Sequence, residues 1–552
     1  MMRPIHHVTR RLTRWLPAAL FAALCSTGCS IDDRGAAAAE AAIPGQTATA
    51  DDAVDPARRL GFAPCAVDPE LECGQLSVPV DHAHPRGERL ELATVRARAL
   101  TSRRRGVLFV NPGGPGGSGV DFVIAAKALF APLRQSFDIV SLDPRGTGRS
   151  RIADCALELP PPPTADTLEV VAAYLDEIGA RYAAACAEQH GALATRVGTD
   201  DVARDIDAFR AALGEREVNY LGFSYGTILG AAYATLFPDR VRAMVLDGDV
   251  TPSWFTDYLL ELDGDGLAGA ELALRRLDQL CGAAADCPLR TAGVVAVYDR
   301  LVERLDRNPV AVDGGVITGA SVTNAVFPLL YQELRGWPFI VSLLAAADAG
   351  NYAGLLPVPA DTTSTVVVPS TFAIACDDSA SRRLGLDYLP AQTANQEIHP
   401  RFAGTNFGLA LTLCSRWPRT RTAPLANLAT RHPIVLIGND FDPATPMAWS
   451  RNMAAALGPK ATLVRYQGGG HTIYGSLFGG GSACINDAVE SYLRDLTAPP
   501  AGLTCPAQPL SFASLRRPAV ATMAEILRQV APPPAPRLLT RPARPLRSGP
   551  AL

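Results

Sequence analysis

A serine in the pentapeptide Gly-Phe-Ser-Tyr-Gly, residues 222–226, is the side chain of this 552-residue sequence best placed to act as a nucleophile. The apolar run 218–221 before it is typical of a short buried strand, and residues 227–234 after it predict a helix with small residues on one side. A strand, a sharp turn and a helix with serine at the turn form a nucleophile elbow. The flanking glycines remove side chains where helix and strand cross, so Ser224 is expected in a strained, exposed conformation.

A serine hydroxyl needs a base to take its proton and an acid to orient that base. His471 is the candidate base, because it follows a predicted strand through the glycine run 468–470. The candidate acid is Asp442, which follows the preceding predicted strand and begins Asp-Pro-Ala-Thr-Pro, a sequence that fixes a turn. Two alternatives stay open: Asp440 could brace this loop, and Asp247 follows an earlier strand where some hydrolases carry the acid.

The tetrahedral intermediate of such a reaction also needs two backbone N–H donors for its negative oxygen. One is expected from Tyr225, the residue immediately after the candidate nucleophile. The other is expected from the loop 112–117, which follows an early apolar strand and contains glycines that let the backbone approach a substrate. We favour Gly114 there, with Gly113 next, and expect the segment from Asp143 to support this loop rather than to react.

The candidate residues follow apolar strands that alternate with predicted helices, a pattern typical of a mostly parallel sheet covered on both faces. In such sheets the chemistry gathers at the carboxyl ends of the strands. With the chain order nucleophile, acid, base, this predicts an α/β-hydrolase fold. We expect its core in residues 61–250 and 432–510, an inserted, mainly helical cap in 251–431, and a C-terminal extension in 511–552 that is disordered at its end.

Composition and the N-terminal residues point to an exported globular protein. The chain is 48% hydrophobic and 19% charged, and its net charge of −4 gives no reason to expect a nucleic-acid partner. Residues 1–29 combine basic side chains with a short apolar run, which predicts a signal peptide, and residues 30–60 predict a flexible linker. Ser-Thr-Gly-Cys at 26–29 resembles a bacterial lipobox, so Cys29 could carry a lipid that tethers the protein to a membrane; an ordinary signal peptide is the alternative. The mature protein would be secreted, periplasmic or anchored to the cell envelope.

Cysteine usage agrees with export. Of the 12 cysteines, Cys25 and Cys29 lie in the signal region, which leaves ten, an even number. These ten are close in sequence two by two and suggest five local disulfides, although sequence alone does not fix the connectivity. Their spacing does not match C-x-x-C metal sites and the chain lacks H-E-x-x-H, so we expect neither a metal nor an organic cofactor. The candidate pairs are Cys65 with Cys73, Cys155 with Cys186, Cys281 with Cys287, Cys376 with Cys414, and Cys484 with Cys505.

Taken together, the motifs resemble those of the secreted bacterial tripeptidyl aminopeptidases, which are α/β-hydrolase serine peptidases related to proline iminopeptidases. The resemblance runs from about Cys65 to about Cys505. It implies that Ser224, Asp442 and His471 are nucleophile, acid and base, and that the enzyme releases short peptides from free N-termini. The motifs that carry it are Asn-Pro-Gly-Gly-Pro-Gly-Gly-Ser-Gly from Asn111, Asp-Pro-Arg-Gly-Thr-Gly-Arg-Ser from Asp143, Gly-Phe-Ser-Tyr-Gly-Thr from Gly222, Asp-Pro-Ala-Thr-Pro from Asp442 and Gly-Gly-His-Thr from Gly469.

A peptidase of this kind takes a peptide with a free N-terminus, and it needs a carboxylate that pairs with the substrate ammonium group. The candidates are Asp378, Glu333 and Asp257, and Trp254 could line an apolar pocket; the alternative for each is an ordinary place in the surface or core of the cap. The same triad could instead serve a carboxylesterase or lipase, because sheet and triad do not choose between esters and amides. A non-catalytic binding protein on the same scaffold is a further alternative.

Overall fold

The described part of the chain in this computed structural model begins at the last residue of the predicted linker. It comprises residues 60–161, 168–256, 262–312, 315–355, 365–384, 397–402, 411–418, 428–476 and 481–513, with a few further positions between them. The signal region with Cys29, the candidate Asp257 and most of the C-terminal extension lie outside these residues. Within them, no helix is both long and apolar enough to cross a membrane.

A large central sheet organises the molecule. The strands of the described residues are β1 (Ala63–Pro64), β2 (Glu72–Pro79), β3 (Arg89–Ala97), β4 (Val107–Asn111), β5 (Asp138–Leu142), β6 (Cys155–Glu158), β7 (Val218–Phe223), β8 (Val241–Asp247), β9 (Val310–Val312), β10 (Gly315–Ile317), β11 (Thr365–Val368), β12 (Ile434–Phe441), β13 (Ala461–Gly469) and β14 (Thr504–Cys505). Ten of them form one sheet in the order β1-β2-β3-β5-β4-β7-β8-β12-β13-β14. The strands β1, β2, β3 and β5 pair antiparallel, and from β5 to β14 all neighbours pair parallel.

Helices cover both faces of this sheet, as predicted. The helices of the described residues are α1 (Gly119–Ala126), α2 (Leu168–His190), α3 (Thr199–Ala212), α4 (Tyr225–Leu236), α5 (Leu267–Ala283), α6 (Val294–Arg307), α7 (Gly319–Leu330), α8 (Gly336–Asp348), α9 (Ser370–Asp378), α10 (Met447–Leu457) and α11 (Ala483–Asp495). Strand β4 is buried throughout, and its alternate side chains enter two separate cores. Val107 and Phe109 pack on the face that carries α3, α4 and α10, whereas Leu108 and Val110 pack on the face that carries α1 and α11.

The segment predicted as a cap contributes to two different cores. Helices α5 to α8 build a hydrophobic cluster of their own, with Trp337 among its fully buried side chains. Helix α9, in contrast, buries Ala373 and Ile374 in the cluster on one face of the central sheet. Strand β11 also pairs antiparallel with β6, which precedes the nucleophile elbow in the chain. The part of the segment from β11 to α9 is therefore packed directly on the hydrolase core.

Five cysteine pairs lie at disulfide-bonding distance, and they are the five pairs expected from the sequence. Their Cα atoms are between 4.9 and 5.7 Å apart, within the range that a disulfide spans. Loops of these lengths make each bridge worth roughly 2–4 kcal/mol of stability in an oxidising compartment. The bonded pairs are Cys65 with Cys73, Cys155 with Cys186, Cys281 with Cys287, Cys376 with Cys414, and Cys484 with Cys505.

Two of these bridges join separate elements of the fold. The bridge between Cys155 and Cys186 links β6 to helix α2. The bridge between Cys376 and Cys414 joins α9 to the 3₁₀ turn Leu411–Arg416. Since β6 pairs with β11, both bridges stabilise the region where β11 and α9 meet the hydrolase core.

Candidate active site

Ser224 occupies a sharp turn between β7 and α4. Its backbone has φ 55° and ψ −126°, a conformation that is uncommon for any residue except glycine. A Cβ at Gly222 would collide with the backbone of Gly226, so the close crossing of strand and helix requires glycine there. The N–H of Ser224 donates to the carbonyl of Asp247 at 3.0 Å, which ties the turn to the end of the neighbouring strand β8. This is the geometry expected of a nucleophile elbow.

His471 and Asp442 form a buried hydrogen-bonded pair. The Nδ1 atom of His471 lies 3.0 Å from both carboxylate oxygens of Asp442. The same carboxylate accepts hydrogen bonds from the backbone N–H groups of Ala444 and Thr445, each at 2.8 Å, and from the Thr445 hydroxyl at 3.0 Å. The turn that Asp442 begins therefore fixes the orientation of its carboxylate, and the carboxylate fixes the orientation of the imidazole.

The order of strands brings the nucleophile and the base to one edge of the sheet. Ser224 follows β7 and His471 follows β13, with β8 and β12 between these strands. Gly248, just after β8, has φ 75°, and a Cβ placed there would lie 3.3 Å from Cε1 of His471. His471 therefore lies against the end of β8, the strand to which the backbone of Ser224 is hydrogen-bonded. All three predicted triad residues lie where parallel strands end.

The two alternative carboxylates have other contacts. Asp440 forms a two-pronged ion pair with Arg465, with both N···O distances at 2.7 Å. Asp247 is fully buried, and its Oδ2 accepts from the backbone N–H groups of Ile473 at 2.9 Å and Tyr474 at 2.8 Å. Asp440 lies within β12 and thus links this strand to Arg465 on the neighbouring β13, rather than bracing the loop as expected, whereas Asp247 holds the segment that follows His471. The hydrogen bonds to Nδ1 make Asp442 the candidate acid.

Asp247 also makes the stability of the fold depend on pH. Burial raises the pKa of its carboxyl to about 6, although its two backbone hydrogen bonds favour the ionised form. In the unfolded chain the pKa of such a carboxyl is about 3.9, so between this pH and the pKa of the folded state mainly the folded state holds the proton. This carboxyl therefore lowers the free energy of unfolding as the pH rises from about 4 to about 6, and the loss persists above that.

The Asp247→Asn variant keeps an acceptor without the charge, so it should avoid this loss. The free energy of unfolding of the variant minus that of the wild type should therefore increase by on the order of 3 kcal/mol as the pH rises from 4 to 7. Urea unfolding followed at several pH values measures this difference. If the difference between variant and wild type did not change with pH, the raised pKa of Asp247 would not be a cause of the pH dependence.

The candidate oxyanion loop lies directly against the elbow. Gly113 has φ 93°, and a Cβ there would lie 2.9 Å from Cβ of Ser224 and 3.0 Å from the backbone nitrogen of Tyr225. The N–H of Gly113 donates to the side chain of Asn111 at 3.0 Å. Since that donor is engaged, Gly114 and Tyr225 are the better candidates for the two oxyanion donors, in the order expected from the sequence.

Asp143 supports the candidate oxyanion loop through hydrogen bonds to the residues that follow it, in agreement with the role expected from the sequence. Its carboxylate accepts from the Ser118 hydroxyl at 2.6 Å, from the Val120 N–H at 2.9 Å and from the Arg149 N–H at 2.7 Å. Ser118 in turn caps helix α1, which begins immediately after the oxyanion loop. The start of α1 is thereby fixed to the end of β5.

The contacts of Asp378 and Trp254 argue against the substrate-binding roles expected for them. Asp378 accepts hydrogen bonds from the backbone and hydroxyl of Thr199 and from the indole of Trp254, at 2.6 to 2.7 Å. Burial raises its pKa to about 7, which weakens it further as a partner for an ammonium group. Both side chains make their polar contacts inside the protein.

Glu333 backs the loop that carries His471. Its carboxylate is buried and accepts from the Tyr466 hydroxyl at 3.0 Å, and burial raises its pKa. A Cβ on Gly470 would lie 3.2 Å from the Glu333 nitrogen, so cap and loop are in close contact. These contacts indicate that Glu333 supports the loop that carries His471 and does not bind a substrate amine. Of the carboxylates expected from the sequence to bind the amine, Asp257 then remains, and it lies outside the described residues.

Two residues near the triad escaped the sequence reasoning. The hydroxyl of Thr445 lies 3.2 Å from Nδ1 of His471, in addition to its bond to Asp442. Tyr331, at the end of α7, packs edge-to-face on the imidazole with ring centres 5.0 Å apart, and its carbonyl accepts from the His471 N–H at 2.9 Å. Thr445 stands in the Asp-Pro-Ala-Thr-Pro motif, which is a signal that could have found it; Tyr331 has no local signal.

Comparison with known proteins agrees with this fold and site. Residues 106–312 match the family model described as alpha/beta hydrolase fold, and residues 400–505 match the one described as TAP-like protein. The tripeptidyl aminopeptidase of Streptomyces coelicolor is 30% identical over 478 residues, covering 80% of this chain and 86% of that protein. The serine protease Hip1 of Mycobacterium tuberculosis is 32% identical over 473 residues, covering 78% and 87%. Carboxylesterase B of the same organism is 33% identical over 457 residues, covering 78% and 86%.

The sheet, the elbow and the buried histidine–carboxylate pair define a serine hydrolase of the α/β-hydrolase class. Within that class, the chain belongs to the family of the tripeptidyl aminopeptidases and Hip1, at 30% and 32% identity over most of its length. The expected family and fold are thereby confirmed.

Proposed function

We propose that this protein is an exported serine aminopeptidase that releases short peptides, chiefly tripeptides, from free N-termini. The observation that carries the proposal is the buried pair of His471 and Asp442 at the edge of the sheet that also carries the strained Ser224. Relatives named as peptidases support the preference for peptides over other acyl substrates.

The reaction follows from the roles of these side chains. Ser224 attacks the carbonyl carbon of the peptide bond while Nε2 of His471 takes the hydroxyl proton. Asp442 stabilises the imidazolium that forms, and the N–H groups of Tyr225 and Gly114 bind the oxyanion. His471 then returns the proton to the leaving amine, which departs and leaves an acyl-enzyme. Water attacks this ester with the same base, and the N-terminal fragment is released.

Hydrolysis of carboxylic esters is the second candidate function, favoured by the similarity to a relative named carboxylesterase B. Identities of 30% and 33% over similar lengths do not separate the two activities. An ester and an amide pass through the same kind of tetrahedral intermediate, so the triad and oxyanion donors serve both. Recognition of a free amine is the property that distinguishes them.

Export is part of the proposal. Five cysteine pairs at bonding distance suit an oxidising compartment, because thiols are kept reduced in the cytosol. The basic and apolar residues at positions 1–29 suit a signal peptide, with Cys29 as the lipid-bearing residue if the precursor is a lipoprotein.

The products released from a synthetic peptide of about ten residues test the proposed specificity. With a free N-terminus, we expect mass spectrometry to find the N-terminal tripeptide and its complementary fragment as the first products. The N-acetylated form of the same peptide is the control and should stay intact. Internal cleavage of both forms, or release of single residues, would contradict the proposal.

A further inference from the structure

Helix α9 contacts the loop that carries one proposed oxyanion donor and is linked through Thr199 and Trp254 to Tyr225, which carries the other. Near its start, the Thr371 hydroxyl donates to the carbonyl of Pro115 at 2.8 Å. Gly116, the next residue of that loop, has φ 86°, and a Cβ there would lie 3.0 Å from Thr371 Oγ1. The first turn of α9 is thus packed closely against the oxyanion loop, one residue beyond Gly114.

The last residue of the same helix reaches the other donor through a buried series of hydrogen bonds. Asp378 accepts from the hydroxyl of Thr199 at 2.6 Å and from its backbone N–H at 2.6 Å. A threonine hydroxyl has one hydrogen to donate, and Thr199 donates it to the carboxylate of Asp378. The Thr199 oxygen, 2.6 Å from the Tyr225 hydroxyl, therefore accepts from Tyr225. This hydrogen-bond series runs from Tyr225 to Thr199 to Asp378, and each of these side chains is buried.

The hydrogen-bond series constrains the residue whose N–H is a proposed oxyanion donor. Tyr225 is the first residue of α4, so its backbone nitrogen stands at the turn beside Ser224. Its phenol is fixed at the far end by Thr199, and its ring packs on Trp254 with centres 5.3 Å apart. Trp254 donates to the same carboxylate of Asp378 at 2.7 Å. Two separate contacts thus link the Tyr225 side chain to the end of α9.

Helix α9 is itself fixed to the core. Asp377 accepts from the backbone N–H groups of Val197 and Gly198 at 3.0 and 3.1 Å, just before α3 begins. At the other end of the helix, the N–H of Ser370 donates to Asp154 at 2.8 Å. A helix anchored at both ends can hold two segments at a constant separation.

We propose that Thr199, Asp378 and Thr371 are positioning residues for the oxyanion hole, and that α9 sets the spacing between its two donors. The proposal rests on the proposed function, in which the N–H groups of Tyr225 and Gly114 bind the oxyanion. Donors must lie within about 2.7–3.1 Å of the oxyanion, so a small displacement weakens binding of the transition state more than binding of the substrate. Loss of the hydrogen-bond series should therefore lower kcat and leave KM nearly unchanged.

Paired variants of this series test the proposal at a pH of about 8 with a tripeptidyl p-nitroanilide that has a free amine. Thr199→Val and Tyr225→Phe each remove one hydroxyl, and each should lower kcat about tenfold with KM within about twofold. The inhibition constant of phenylboronic acid, which forms a tetrahedral adduct on serine, should rise by a similar factor. Thr199→Ser restores the hydroxyl and should recover most of kcat. The double variant Thr199→Val/Tyr225→Phe should be no slower than the slower single variant, because both interrupt one series.

Thr371→Val, with Thr371→Ser as its conservative partner, tests the other end of α9 in the same assays, and a loss of kcat at constant KM is expected. Thr235→Val, which removes a hydroxyl from the far end of α4, is the matched control and should keep the wild-type kcat. Unchanged kcat in both Thr199→Val and Tyr225→Phe, or equal losses in Thr199→Val and Thr199→Ser, would overturn the proposal. Absence of fluorophosphonate labelling at Ser224 in the wild type would instead refute the proposed function on which it rests.

Discussion

The Ser224→Ala variant should hydrolyse a tripeptidyl p-nitroanilide with a kcat lowered by at least about 10⁴-fold. The elbow presents one hydroxyl to the substrate, and without it no acyl-enzyme can form. The substitution removes a single oxygen and keeps the backbone hydrogen bond from residue 224 to Asp247, so the fold should be retained. Steady-state kinetics and labelling by a fluorophosphonate, which should vanish, measure the effect.

Ser77→Ala is the control for this variant. Ser77 is exposed on β2, where its hydroxyl accepts from Arg89, and its loss should change neither kcat nor labelling. Substantial residual turnover by Ser224→Ala, with an unchanged pH dependence, would show that another residue is the nucleophile.

The Asp442→Asn variant should lose about 10⁴-fold in kcat while remaining folded. The carboxylate accepts the Nδ1 hydrogen of His471, which leaves Nε2 unprotonated and able to act as a base. An asparagine amide can direct its own N–H groups at Nδ1, which favours the opposite tautomer with its proton on Nε2. That imidazole cannot take the serine proton, so kcat, measured with the same anilide, should fall while substrate binding is kept.

Asp440→Asn, near the end of β12 and two residues before Asp442, provides a matched comparison. It removes a carboxylate that pairs with Arg465 and not with the histidine. Its kcat should stay within about twofold of the wild type, and loss of the ion pair should lower the free energy of unfolding by at most about 1 kcal/mol. Comparable losses of kcat in both variants would mean that the loop, and not the carboxylate of Asp442, matters to the reaction.

Much of the fold, and the place of the candidate triad residues in it, could be predicted from the sequence, because the signals are local. The run Val218–Phe223 is apolar enough to require burial on both faces, and the elbow follows from two glycines at fixed spacing. Asp442 and His471 each follow a strand of a parallel sheet, so topology alone brings them to the same edge. The choice of Asp442 over Asp440 depended on turn chemistry, which is also local.

The roles of the cap residues could not be predicted, because they depend on which surfaces meet. Asp378 is a carboxylate of suitable type, but its contacts with Thr199 and Trp254 join positions 179 and 124 residues apart in sequence. Glu333 likewise has its partner Tyr466 133 residues away. No periodicity indicates such contacts. The division of the cap between two cores has the same origin, since helical patterns reveal an apolar face but not the surface that covers it.

The ratio of kcat/KM for three matched substrates tests the proposed aminopeptidase activity most directly. The substrates are a tripeptidyl p-nitroanilide with a free amine, its N-acetylated counterpart and a short-chain p-nitrophenyl ester, each with Ser224→Ala as the blank. Pairing of the substrate ammonium with a carboxylate predicts a preference of roughly 10²-fold or more for the free amine over the acetylated form. Equal turnover of the two anilides, or turnover of the ester alone, would keep Ser224 as a nucleophile but contradict the aminopeptidase.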